Sequence, residues 1–125
     1  MHNNAMPAID ENIEKLWDNI LQNENHHIIV GLLDGKIVSS CVIIVADNLT
    51  RSQRPYALIE NVITHEAHRN KGYAASVLNF ARDIAKNENC YKIMLMTGSK
   101  EESTLRFYEK AGYNRHDKTA FIQWL

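Results

Sequence analysis

Apolar residues recur between Glu11 and Gln22 at Ile13, Leu16, Trp17, Ile20 and Leu21. Steps of three and four place them on one face of a helix, which is expected to be buried. Asp10 stands at the N-cap, and Asn23 to Asn25 ends the pattern. The period then changes. His27 to Leu33 and Lys36 to Ala46 read as strands joined by Asp34-Gly35, a two-residue hairpin turn. Asn48 to Pro55 is a polar loop, and Tyr56 to Thr64 is a third strand. A helix is predicted from Gly72 to Asn87, with Ala75, Leu78, Ala81, Arg82 and Ala85 near one stripe and Val77, Phe80 and Ile84 widening it. Asn89 marks a turn before a buried strand, Lys92 to Thr97. A right-handed crossover makes that strand parallel to Tyr56–Thr64. Gly98 to Glu102 is a loop, Ser103 caps a short helix from Thr104 to Ala111, and Gly112 stops it. Thr119 to Trp124 reads as a closing strand, and Met1 to Ala8 carries no periodic pattern. The order α-β-β-β-α-β-α-β is that of an α/β (α+β) fold, a mixed central sheet flanked by helices.

The 125 residues suit one domain, 1–125, with a single core. A net charge of −1 argues against a general nucleic-acid or membrane-surface binder. Cys41 and Cys90 lie in or beside apolar runs, without CxxC or Cys/His spacing, so no metal site is expected. His65-Glu66-Ala67-His68 is one residue short of the metalloprotease spacing. No apolar run reaches the length of a membrane span and no signal peptide precedes Asp10, so a reduced cytoplasm is the expected compartment.

The chemistry concentrates between the third strand and the helix after it, in Arg69-Asn70-Lys71-Gly72-Tyr73-Ala74. A strand leading through a basic, glycine-containing loop into a helix makes an anion site. The first helical N–H groups lack partners and point outward, and the helix dipole favours negative charge there. Gly72 lets the backbone approach a ligand closely, and Arg69 and Lys71 add charge-assisted bonds. Within the third strand, Glu60 stands in an otherwise apolar run, where a carboxylate must find partners or bind its proton more tightly. The other reading is a carboxylate at solvent or paired with Arg51 or Arg54.

At these residues the chain resembles the GCN5-related N-acetyltransferases. Their signature Arg/Gln-x-x-Gly-x-Gly/Ala is met by Arg69, Gly72 and Ala74, and the likeness extends over Ile59 to Tyr113, including Phe107-Tyr108-Glu109-Lys110-Ala111-Gly112-Tyr113. The resemblance implies the acyl-CoA N-acyltransferase fold, entered here without the family's usual first strand and helix. The family's first strand would cover His27–Leu33, so that edge is expected to be covered by Met1–Ala8 or by a second subunit, a homodimer. The implied reaction is direct transfer of acetyl from acetyl-CoA, a cosubstrate, to a primary amine of a small molecule, with neither metal nor nucleic acid nor membrane involved.

By the same resemblance, Arg69, Asn70, Lys71, Gly72, Tyr73 and Ala74 hold the pyrophosphate of coenzyme A, and main-chain groups of Val62, Ile63 and Thr64 pair with its pantetheine arm and supply the oxyanion donor. Glu60 is the candidate base and Tyr108 the candidate acid, with Phe107 assigned to the core side of its helix but near the coenzyme. Ser103 and Thr104 are placed against coenzyme A, and Asn61 and Arg54 against the acceptor. Ile59-Glu60-Asn61-Val62, Asn89-Cys90-Tyr91-Lys92-Ile93 and Phe107-Tyr108-Glu109-Lys110 are similar to glucosamine-phosphate acetyltransferases, with Asn61 where those commonly have Asp. The alternatives are a non-catalytic acyl-CoA-binding module and a protein N-acetyltransferase.

Overall fold

The structure is a computed structural model that describes residues 7–125. The first helix, α1, spans Glu11–Gln22, and Asp10 caps it by accepting a hydrogen bond from the Ile13 N–H at 3.0 Å. Two strands come next, β1 (His26–Leu33) and β2 (Lys36–Ala46), paired antiparallel. Their turn has Asp34 at φ 51° and Gly35 at φ 79°, the two left-handed residues that a tight hairpin with right-handed strand twist requires. Strand β3 (Tyr56–Thr64) pairs antiparallel with β2. Helix α2 (Tyr73–Asn87) then crosses to β4 (Ile93–Leu95), which is parallel to β3. Helix α3 (Glu102–Lys110) comes after β4. The sheet order is β1-β2-β3-β4.

The core lies between α2 and the sheet. Val77, Leu78, Ala81 and Ala85 pack on Ile29, Cys41, Ile43, Ala57 and Ile59, all nearly excluded from solvent. Phe107, Tyr108, Ala111 and Tyr113 close one end of this cluster. Helix α3 ends in paired reverse bonds, Gly112 N–H to the Glu109 carbonyl at 2.9 Å and Tyr113 N–H to the Tyr108 carbonyl at 3.1 Å, with Gly112 at φ 106°. Gly112 is thus the predicted stop, and the left-handed conformation explains why a glycine stands there.

Four expectations are corrected. The apolar face of α1 is not buried: Leu16, Trp17 and Leu21 are 50–61% exposed, because α1 meets the rest of the described chain mainly through β1. Strand β4 runs only from Ile93 to Leu95 instead of Lys92 to Thr97, since β3 parts from it beyond the Ile59–Leu95 pair. Helix α3 starts at Glu102, which puts Ser103 inside the first turn. Ser99 takes part of the capping role, its Oγ accepting from the Glu101 N–H and donating to Thr104 Oγ1. Thr119 to Trp124 forms no strand, and Phe121 is 90% exposed. A strand needs a ladder partner, and the described four-stranded sheet takes in no strand from this segment. The expected cover of β1 by Met1–Ala8 lies outside the described residues for positions 1–6, while Pro7 and Ala8 are exposed and belong to no strand.

Burial pushes the Cys41 thiol up to about 11, and its Sγ sits 3.7 Å from the Val77 carbonyl. The half-buried Cys90 is raised by burial and then by the Glu88 carboxylate. Thiolates are the reactive form. With a disulfide reagent at pH 8, Cys90 is expected to react first and Cys41 only on unfolding; mass mapping that found Cys41 modified in the native protein would contradict this packing.

Candidate active site

The site is built where β3 leaves the sheet. Pairing with β2 shifts register between Ser40 and Val42, and opposite that shift Asn61 takes a left-handed φ of 55°. An extra residue in one strand bends it and re-aims the residues beyond it. Past Ile59 the strand turns away from β4. The His65 N–H still bonds the Val38 carbonyl at 2.7 Å, and the Ile63 carbonyl accepts from the Ser39 hydroxyl at 3.0 Å, so positions 63 and 65 address β2. Main-chain groups alternate sides along a strand. The Val62 carbonyl and the N–H and carbonyl of Thr64 therefore point into the widening gap on the β4 side. Of the three residues expected to present backbone there, Ile63 is turned the other way.

A short turn, Glu66–His68, and Asn70 at φ 62° carry the chain to Gly72, the N-cap of α2. Gly72 has φ 85° and no side chain caps the helix, so the N–H groups of Tyr73, Ala74 and Ala75 lack helical acceptors, the first helical bond being Ser76 N–H to the Gly72 carbonyl at 3.0 Å. A Cβ built on Gly72 would meet nothing within 4 Å, so the space in front of the helix end is open. Arg69 Nε lies 3.4 Å from the Thr64 carbonyl, which ties the loop to the strand that precedes it. His68 Nδ1 is buried without a partner among the described residues and faces Tyr73 edge-on at 6.0 Å.

A cavity of about 690 Å³ joins these elements. Its walls include Val62, Thr64, Arg69, Asn70, Gly72, Tyr73 and Ala74 from the strand and loop, and Ser103, Thr104, Phe107 and Tyr108 from α3. Sequence reasoning assigns Tyr108 as the acid and the others to one ligand, and the fold brings them to one space. Phe107 and Tyr108 both line it, half-buried and edge-to-face at 5.0 Å, in place of the expected split between core and site. Burial first, then the neighbouring Cys41, raises the Tyr108 phenol above its usual value. Asn79 and Arg82 of α2 and Lys110 of α3 also line the cavity, and sequence reasoning does not single them out. Ala75, Asn79 and Arg82 are spaced by four and three, so a signal is present, but the same spacing reads Arg82 as part of a core stripe.

Glu60, Asn61 and Ile63 are exposed and do not line the cavity. They look out from the opposite face of β3. Glu60 is therefore not a carboxylate forced by burial to find a partner. Arg54 spans the other end of the sheet, donating from Nε to the Asn89 carbonyl at 3.1 Å and from Nη2 to the Cys90 carbonyl at 2.9 Å. It braces the entry to β4. Among the described residues no group of His, Cys, Asp and Glu side chains could hold a metal ion.

The sequence profile of the acetyltransferase (GNAT) family matches residues 3–113. A glucosamine 6-phosphate N-acetyltransferase of Trypanosoma brucei brucei is 30% identical over 84 residues, 67% of this chain and 55% of that protein. The chain thus spans little more than half the length of that relative. A solved structure from Agrobacterium tumefaciens str. C58, provisionally described as an acetyltransferase, superposes with a TM-score of 0.87 at 33% identity, covering 97% of this chain and 84% of that one. Glucosamine-6-phosphate N-acetyltransferase from Arabidopsis thaliana superposes with a TM-score of 0.84 at 23% identity, covering 97% and 81%.

Proposed function

The chain belongs to the acetyltransferase (GNAT) family, and on that premise we propose that residues 1–125 form one acetyltransferase domain that moves an acetyl group from acetyl-CoA to a primary amine of a small molecule. The observation that supports this reading is the pairing of two features in one cavity. The stretch of β3 at Val62 and Thr64 that has parted from β4 borders the same space as the uncapped, basic N-terminus of α2. An extended, amide-bearing arm that ends in a pyrophosphate needs both. His68 Nδ1, buried and unpartnered among the described residues, is a further polar atom that such a ligand would satisfy.

Acetyl-CoA supplies the activated thioester. The N–H groups of Tyr73, Ala74 and Ala75, with Arg69 and Lys71, bind the phosphates. The Val62 N–H, next to the bulge, is the donor assigned to the developing oxyanion, a role that needs a group fixed before reaction. Tyr108, kept protonated by burial, returns a proton to the departing thiolate. Glu60, on the outer face of β3 and open to solvent, takes the amine's proton, directly or through water, with Asn61 beside it to orient the acceptor. Glucosamine 6-phosphate is the first acceptor to try, because that is what two of the similar proteins are named for.

Calorimetric titration with acetyl-CoA, followed by a thiol-release assay against an amine panel, tests the reading. Binding with amine-dependent release is expected. Binding with no release by any amine would favour a non-catalytic acyl-CoA module. In Tyr108→Phe, turnover is expected to fall roughly 100-fold while acetyl-CoA affinity stays within about twofold. Unchanged turnover would remove Tyr108 from the role of acid.

A further inference from the structure

Ser39 is the one buried polar residue among those described, 2% exposed at the end of an otherwise apolar buried face of β2 that continues through Cys41, Ile43 and Val45. Its hydroxyl donates to the Ile63 carbonyl at 3.0 Å and lies 3.1 Å from Thr64 Oγ1. We propose that Ser39 is a positioning residue that sets the donor and acceptor pattern of β3 facing the pantetheine arm. Ser39 has this role only if the cleft takes acetyl-CoA as proposed above.

The placement of these atoms has two consequences. The first concerns the Ile63–Thr64 peptide. In a trans peptide the C=O and N–H point in opposite directions. Holding the Ile63 carbonyl towards β2 therefore aims the Thr64 N–H into the gap left by β4. The register shift begins just beyond the Ser40–Ile63 pair, and the Ser39 side chain adds a bond to the ladder on its near side. The second concerns the proton count. A serine hydroxyl has a single hydrogen, and here it is spent on Ile63. The contact between the two hydroxyls can then be a hydrogen bond only if Thr64 is the donor. Thr64 thus has no hydrogen left for the cavity it lines, so its Oγ1 can serve a ligand there as an acceptor alone. Next to an N–H donor of the same residue, this makes a matched pair for one secondary amide. The arm of acetyl-CoA carries two such amides.

The test compares two probes on the intact chain by calorimetry. Acetyl-CoA carries the arm; ADP carries the pyrophosphate and lacks it. Ser39→Ala is expected to weaken acetyl-CoA about tenfold and leave ADP within twofold. Thr64→Val should show the same split. Ser39→Thr keeps the hydroxyl and is expected to restore acetyl-CoA affinity to within threefold. A merely structural role would lower the active fraction and weaken both probes alike, and that result, or no loss for either probe, would overturn the role of Ser39. A wild-type protein that binds neither probe would overturn the cofactor reading itself and this role with it.

Discussion

Gly72→Val is expected to reduce acetyl-CoA affinity at least about 100-fold while the protein still folds. Gly72 sits at φ 85°, a conformation that a residue with Cβ adopts at a cost of roughly 1–2 kcal/mol, more for a β-branched one. That strain falls on a loop, and a Cβ there meets no atom within 4 Å, so the core is not disturbed. The side chain instead fills the open space in front of the first N–H groups of α2. Each hydrogen bond lost to a charged phosphate costs about 1.5–3 kcal/mol, and two such losses already exceed the expected effect. Gly72→Ala should fall between the two. Titration with acetyl-CoA alongside thermal melts separates loss of binding from loss of fold. An affinity within threefold of wild type would show that the pyrophosphate does not sit over this helix end.

The second large effect is on stability. Ile43→Ala is expected to cost about 2–5 kcal/mol. Ile43 is fully buried at the centre of β2, in the layer that α2 covers with Leu78 and Ala81. Its strand neighbours, His27 and Ile59, are held by their own ladders and cannot collapse far into the space left behind. Since domains of this size have total stabilities of about 5–15 kcal/mol, urea unfolding should show a clearly lower midpoint with an unchanged slope. A cost under about 1 kcal/mol, well below the range for such truncations, would mean that the sheet–helix interface repacks freely. Leu16→Ala on the exposed face of α1 is the internal contrast and should change stability far less.

Much of the fold was legible because it is written in local rules. Asp10, the Asp34-Gly35 turn and Gly112 act through their own backbone geometry, so their positions could be read without knowing any partner. The same holds for the bounds of α1, β2 and β3, each delimited by a cap or a turn. The anion site at Arg69–Ala74 was legible for a related reason: uncapped N–H groups, a glycine and two cations are contiguous in the chain.

The features that were not legible depend on a partner distant in sequence. The length of β4 is set by where β3 parts from it, and the bulge at Asn61 that causes this leaves no periodic trace. The apolar spacing of α1 shows that it has a face but not what covers it, and the strand-forming residues after Thr119 do not by themselves say whether a sheet takes them in. Which side of β3 each group serves was also beyond the sequence. Alternation assigns faces only until an extra residue shifts the count, and here that shift puts Glu60 and Val62 on opposite faces and turns Ile63 towards Ser39. The sequence by itself determined the elements and the anion-binding loop, since both arise from neighbours along the chain. Only the tertiary structure decided the cavity, its two tyrosine-bearing walls and the hydroxyl pair behind it, because these join residues that the chain keeps far apart.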